Sequence, residues 1–523
     1  MEKIISYIRK NITLIEIIPV VLIVAFFPWI SRVNFMQNDD WNRTTSVVRF
    51  LSGDASLLQV TATTFYTQGI LGFLFSIIFG WKNLPFLTLF ISVFNFYIFG
   101  KILKDHFNLN IFESIVISLV FFFTPLHIYS SIGFMTENYT MFFMLLAMYF
   151  LLQYEKDKKP RSFFMFNVSG ILSFFTKQNG IIVNFAYIPY LLFKKRFKEA
   201  LVQATNVGGL LCYYFNYFPR TEEMHDKGFI FENFTEPDYI YSLIYGILLV
   251  TVSFLLPFVF NFVVNIFFEN RKKIANIVFI LISAGVLFFS LNKYFAPEEL
   301  AWEEYPYFEN TFERTGFFPR SIEGTKYYFK WNYDIFKYWE LGSKILISFL
   351  LPCLLFSRKK VINIYSISIV GYLMLMVLTE RFYDRYIIPL VPLGILFLVT
   401  FKNKDSNLKY LYLASNIVFV TFIAFISFQM AADFIVTNNY VWGRSETLVE
   451  NGIQAKNIGA TMAWGRLYGK SEKYKFLFTF DSPDTYPEIL ENYELFEEKH
   501  TSFRGSIFVE PKIYLYREKE AVY

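Results

Sequence analysis

A small set of side chains in this sequence combines the types and placement needed for a transfer reaction beside a membrane. Asp39 and Asp40 stand together in "MQNDDWNRTT", residues 36 to 45, shortly after the first long apolar run. Two like charges in adjacent positions at the edge of a low-dielectric slab raise one another's pKa and prepare a general base or a cation site. The same pair, with Asn38, also suits the cap of a following helix, because short acidic side chains satisfy its free N–H groups. Glu137, in "TPLHIYSSIGFMTENYTMFF", is either a partner for the next helix dipole or a third carboxylate of the same site. His127 in that stretch is a candidate acid or phosphate ligand, against the plainer reading of a hydrogen-bonded interfacial histidine. Cations come from Lys177 in "FFTKQNG" and from Arg381 and Arg385 in "LTERFYDRYIIPLVP". These can snorkel or pin a turn through mutual ion pairs, or they can hold a phosphate, which a guanidinium binds bidentately. Arg385 is preferred over Arg381 for that role.

The surrounding elements are helices in a bilayer. Of 523 residues, 54% are hydrophobic and 21% aromatic, with 67 Phe, and the mean hydropathy is +0.37. That is more apolar surface than a soluble enzyme can cover. The net charge of +5 is small and falls in short clusters between apolar runs, which argues for topology signals and against nucleic acid. Cys212 and Cys353 lie inside apolar segments without a partner pattern, so neither a disulfide framework nor a thiolate metal site is indicated. Apolar runs near 12–30, 85–101, 111–126, 139–153, 163–176, 181–193, 200–218, 239–266, 274–296, 341–357, 361–378, 386–401 and 410–434 give about thirteen spans. The first follows Lys3, Arg9 and Lys10 and reads as a retained helix with its N-terminus inside. Loops such as "EKDKKPR", "KKRFK" and "NRKK" then obey the positive-inside rule.

The short, glycine-broken segment 66–80 is expected to be interfacial or re-entrant, because counting it as a span inverts every later loop. The outer face then receives 31–84, 127–138, 219–238, 297–340, the turn 379–385 and everything from 435. In the first outer loop, "DWNRTTSVVRFLSGD" has helical spacing and a stop at Gly53, and Trp41 suits the headgroup level. The organisation expected is an all-α polytopic membrane domain over 1–434 and a small soluble α/β tail over 435–523.

Taken in order, these pieces resemble the membrane glycosyltransferases of the GT-C class, most closely bacterial protein O-mannosyltransferases and lipid A aminoarabinose transferases (families 39 and 83). The resemblance rests on Asp39-Asp40 continued to "RFLSGD", on "TENYTMFFMLLAMYFLL", on Thr176-Lys177 with Gly180, and on Arg385-Tyr386 with Pro389. It covers most of residues 1–200 and thins afterwards, with a further likeness in "LVENGIQAKNIGATMAWG". Relatives commonly carry Asp-Glu where this chain has Asp39-Asp40, and often Lys-Pro-Pro where it has "ATTFYTQG", so a phosphate contact expected from that lysine must come from elsewhere or be absent.

The resemblance implies a GT-C fold and transfer of a sugar from a polyprenyl-phosphate donor to a lipid, glycan or protein acceptor, by one inverting displacement on the outer face of a bacterial inner membrane. Asp39 is then the general base. Asp40 and Glu137 orient it, or hold a divalent cation (Mg, Mn or Zn) if one is used, while Arg385, Arg381, Lys177 and His127 face the donor phosphate. The rivals are a transporter or lipid-linked-sugar flippase, which calls for ionisable residues or broken helices near mid-bilayer, and an O-antigen-type polymerase using the same carriers.

Overall fold

The computed structural model describes residues 14–57, 63–218, 235, 237–294, 322, 334–357, 361–378, 383–402, 406–484, 486–501, 503–507 and 512–519. The expected apolar runs are helical. Helix α1 (Leu14–Ile30) leads to α2 (Asp40–Leu51) and α3 (Tyr66–Phe79). Then follow α4 (Leu84–Phe107), α5 (Ile111–Phe122), α6 (Pro125–Ile132), α7 (Thr136–Asp157), α8 (Pro160–Phe174), α9 (Ile182–Phe193) and α10 (Phe197–Asn216). The second half contains α11 (Pro237–Asn270), α12 (Ile274–Tyr294), α13 (Asp334–Leu355), α14 (Ile364–Val377), α15 (Leu390–Val399) and α16 (Ser406–Glu450). Among the described residues, five helices are long and apolar enough to cross a membrane, or six if one bent pair is a single span.

Local sequence sets several boundaries. The Asn110 side chain accepts the Glu113 N–H at 2.8 Å and starts α5, and Asn363 with Ser366 forms a capping box for α14. Gly53, at φ +88°, takes the left-handed conformation just beyond α2 where the sequence placed a stop. Helix α3 has 14 residues, about 21 Å at 1.5 Å per residue, too short to cross a hydrocarbon core of about 30 Å.

Two expectations change. The run 111–126 is not one continuous helix: the chain turns by 68° between α5 and α6. Pro125 at the first position of α6 cannot donate to the preceding turn, so the helix restarts there. Residues 127–138, expected as a short outer loop, thus contain most of α6 and the first turn of α7, and every one of them is buried. The second change concerns residue 434, where the sequence reading placed a boundary: α16 runs through it to Glu450.

Beyond α16 four strands form one sheet in the order β1-β2-β4-β3: β1 (Ile458–Gly459), β2 (Phe476–Thr479), β3 (Tyr493–His500) and β4 (Lys512–Glu518). Strand β1 is parallel to β2, whereas β4 lies antiparallel to both neighbours. Its alternating residues serve two faces, with Ile513 and Leu515 in the main core and Tyr514 and Tyr516 against Ile489. Ser506 and Ile507 are not in a strand, and residues 508–511 lie outside the described ones. Helices α17 (Met462–Tyr468) and α18 (Ile489–Asn492) flank the sheet, and α17 packs on α2. The loop 297–333 is described only at Ile322, which bridges to Thr461.

The tail is fastened to α16 by Asp433, which is fully buried and accepts the Phe503 N–H and the Ser506 hydroxyl, each at 2.5 Å. Thr437 and Thr501 add a hydroxyl pair at 3.0 Å. Asp433→Ala removes a charged acceptor from the part-buried Phe503 N–H and Ser506 hydroxyl, at a cost of about 1.5–3 kcal/mol. Limited trypsin digestion should then cut after the exposed Arg504 faster than in the wild-type protein.

Candidate active site

The start of α2 does not use its acidic pair as the sequence allowed. Asp39 stands at the N-cap, but its side chain makes no capping hydrogen bond; Arg385 Nη2 donates to its Oδ2 at 2.7 Å instead. Asp40 turns inward. Its Oδ2 accepts the Phe134 N–H at 2.8 Å and the Gln37 N–H at 3.3 Å. The capping reading is therefore corrected: the carboxylates tie α2 to other parts of the chain, because the aspartate rotamers that reach Arg385 and Phe134 leave nothing for the helix's own N–H groups. Asn38, at φ +43°, takes a left-handed turn just before the pair, a conformation asparagine tolerates.

Glu137 lies in the first turn of α7. Its Oε1 is 3.1 Å from Lys177 Nζ and 3.4 Å from Arg385 Nε. Lys177 is delivered by the turn after α8, where its N–H and that of Thr176 both donate to the Ser173 carbonyl. Gly180 makes this turn possible, since a Cβ there would sit 2.6 Å from the Ser173 oxygen. Lys177 Nζ lies 3.8 Å from the Tyr386 ring centroid, a cation–π contact. Arg385 and Tyr386 occupy a 3-10 turn, Asp384–Ile387. Asn179 donates to the Tyr372 hydroxyl at 2.9 Å, which donates to the Tyr386 carbonyl at 2.8 Å. The hairpin carrying Lys177 and the turn carrying Arg385 are thereby tied together.

The segment "ATTFYTQG" docks on that hairpin. The Phe65 N–H donates to the Thr176 carbonyl at 3.1 Å and the Thr67 N–H to that of Phe175 at 3.0 Å. Phe65 itself is left-handed at φ +50°, a strained conformation for a bulky residue that surrounding contacts must hold.

Arg43, which the sequence reading passed over, completes the group. It approaches Asp39 and Asp40, each at 3.8 Å, and reaches the Met135 sulfur at 3.1 Å. The signal was available in the spacing, since positions 39, 40 and 43 share a helix face. Asp39, Asp40, Glu137, Arg43, Lys177 and Arg385 thus form one cluster of three carboxylates and three cations. Exposure separates them: the Asp39 side chain is 32% accessible, against 4–11% for the others. Asp39 is the carboxylate that an incoming group can reach.

Burial pushes the Asp40 carboxyl up to about 7, with Arg43 and the Phe134 N–H opposing and Asp39 reinforcing the rise. Burial also pulls Lys177 down to about 8, despite the opposing charge of Glu137. With Asp40 protonated, the six groups carry one net positive charge, suited to an anion.

His127 is not brought into this cluster. Its Nδ1 lies 3.0 Å from the Phe122 carbonyl and its ring packs on Phe121 and Phe122. Arg381 lies outside the described residues. The cation-ligand role given to Asp40 and Glu137 does not fit their placement, since one binds backbone N–H groups and the other faces Lys177 and Arg385. Among the described residues no three His, Cys, Asp or Glu side chains converge on a metal position.

Removing the charge of Glu137 leaves the buried Lys177 without its carboxylate and Arg385 with Asp39 alone, so Glu137→Gln should destabilise the detergent-solubilised protein by about 3–5 kcal/mol. Arg517→Ala, which breaks the exposed pair with Glu494, should cost less than about 1 kcal/mol. For Asp40, the folded protein holds its proton more tightly than the unfolded chain. Its contribution to stability is full below about pH 4 and is lost as pH rises through about 7. Thermal melting across that range should show the slope in the wild type and a shallower one in Asp40→Asn.

No family model matches the sequence, and no curated protein is found similar to it. Among solved structures, the chain is similar to ArnT from Cupriavidus metallidurans, crystallised with undecaprenyl phosphate. The TM-score is 0.46 at 10% identity, covering 95% of this chain and 97% of that one.

Proposed function

We propose that this protein is an inverting glycosyltransferase of the GT-C type, which moves a sugar from a polyprenyl-phosphate donor to a lipid, glycan or protein acceptor. The observation that carries the reading is the half-open ion cluster. An accessible carboxylate, Asp39, adjoins buried cations, Arg385 and Lys177, at the ends of apolar helices. One side offers a base to an acceptor hydroxyl, and the other offers positive charge to a lipid-linked phosphate. Charged side chains concentrated at helix ends favour this over a transporter, whose ionisable groups belong near mid-bilayer.

In the proposed reaction the acceptor oxygen attacks the anomeric carbon as its proton passes to Asp39. The bond from that carbon to the phosphate oxygen breaks, and its electron pair leaves on the phosphate. Arg385 and Lys177 stabilise the growing negative charge. Arg385 already holds Asp39 Oδ2, so the arriving phosphate shares this guanidinium, leaving the carboxylate freer to accept a proton. Glu137 keeps both cations in place. The full arrangement would have about thirteen spans, the cluster and the tail on the extracytoplasmic face, and a bacterial inner membrane as its location. The positive-inside pattern of the loops supports this orientation.

The test is turnover of a panel of polyprenyl-phosphate sugars by purified protein. Asp39→Asn should lower kcat by about 10²–10⁴-fold, and Arg385→Gln by about 10²–10³-fold. If no donor is turned over while lipid or solute crosses reconstituted vesicles, the transferase reading fails. Normal transfer by Asp39→Asn removes it as the base.

A further inference from the structure

Asp40 and Gly133 meet more closely than any side chain at 133 would permit. A Cβ built on Gly133 would lie 1.9 Å from Asp40 Oδ2 and 2.7 Å from Gln37 Oε1. The backbone there is not left-handed, with φ −111°, so glycine is required for space and not for conformation. The next residue, Phe134, is held from both sides. Its N–H donates to Asp40 Oδ2 at 2.8 Å, and its carbonyl accepts from Gln68 Nε2 at 3.0 Å. Gln37 Nε2 donates to the Tyr129 carbonyl at 3.0 Å, so residues 37–40 grip both the end of α6 and the link to α7. The Phe134 ring packs edge-on against Phe65 and Tyr139.

Buried acceptors are left over at this junction. Asp40 Oδ1 and Gln37 Oε1 make no hydrogen bond; Oδ1 lies 3.8 Å from Arg43 Nη1, beyond hydrogen-bond reach, so an ionised Asp40 keeps an unmet acceptor in a buried setting. A proton on the Asp40 carboxyl turns that acceptor into a donor.

We infer that Asp40 is a positioning residue, held as a neutral acid against Gly133 and the Phe134 N–H, which sets the start of α2 so that Asp39 meets Arg385. This rests on the transferase reading for its catalytic consequence. It separates the two neighbouring carboxyls: Asp39 acts on the substrate, and Asp40 acts through the backbone. Asparagine can serve at position 40, because its amide oxygen accepts the same two N–H bonds and its amide nitrogen donates. Alanine cannot serve there, and Gly133→Ala breaks the same contact from the other side.

The experiment compares Asp40→Asn, Asp40→Ala, Gly133→Ala and the Asp40→Ala/Gly133→Ala double variant, each checked for wild-type elution and for binding of undecaprenyl phosphate. The expected result is that Asp40→Asn stays within about threefold of wild type, while Asp40→Ala and Gly133→Ala each lose about 100-fold in kcat with binding stoichiometry unchanged. The double variant should lose no more than either single change, because both remove one contact. Loss in Asp40→Asn as deep as in Asp39→Asn, or full activity in Gly133→Ala, overturns the inference. If the wild type turns over no donor, the transferase reading fails separately and melting temperatures decide the contact. Equal, non-additive drops in the three alanine variants with none in Asp40→Asn at pH 6 support it, and additive drops overturn it.

Discussion

The constraint on which this structure turns is the cost of placing ionised groups out of water. Arg385, Lys177, Arg43 and Glu137 are all nearly inaccessible, and each alone would cost several kcal/mol to bury. They are tolerable only together. Since they arise from α2, α7, the turn after α8 and the turn before α15, their mutual compensation fixes four separate parts of the chain around one point. The helices are driven together by apolar packing, but that force has no direction. The ion cluster supplies the registration that packing lacks, with Tyr372, Asn179 and Gln68 bracing its edges.

Much of the helical framework was legible because hydropathy over a bilayer-length window is a strong signal. Runs such as 85–101 and 274–296 became helices with shifted ends. Asp39, Glu137, Lys177 and Arg385 were brought under one heading by counting spans and asking which side each fell on, and the four do come together. The run 111–126 was misread because hydropathy is blind to direction, so a break at Thr124 and Pro125 looked continuous. Asp39 and Asp40 were partly misread as caps because capping chemistry is local, whereas Arg385 and Phe134 are 346 and 94 residues away in sequence.

Other features were out of reach for different reasons. Arg43 could have been found from its spacing on the helix that carries the acidic pair. Gly133 could not: its importance lies in the absence of a side chain beside Asp40, and a lone glycine in "SSIGFM" carries no mark of what it faces. The burial of His127 between two phenylalanine rings depends on the bend after α5, so the wrong path of that segment also misplaced the histidine.

Helix α16 has 45 residues, about 68 Å at 1.5 Å per residue, more than twice the thickness of a hydrocarbon core of about 30 Å. Such a rod cannot be immersed along its whole length; it works as a mast. Its lower part is a lipid-soluble post, and its upper part carries the sheet, clamped at Asp433, at a set height. Helix α17, rigged to that sheet, leans on α2, the element that bears Asp39. The position of this rod is thereby tied, through α17, to the helix beside the accessible carboxylate.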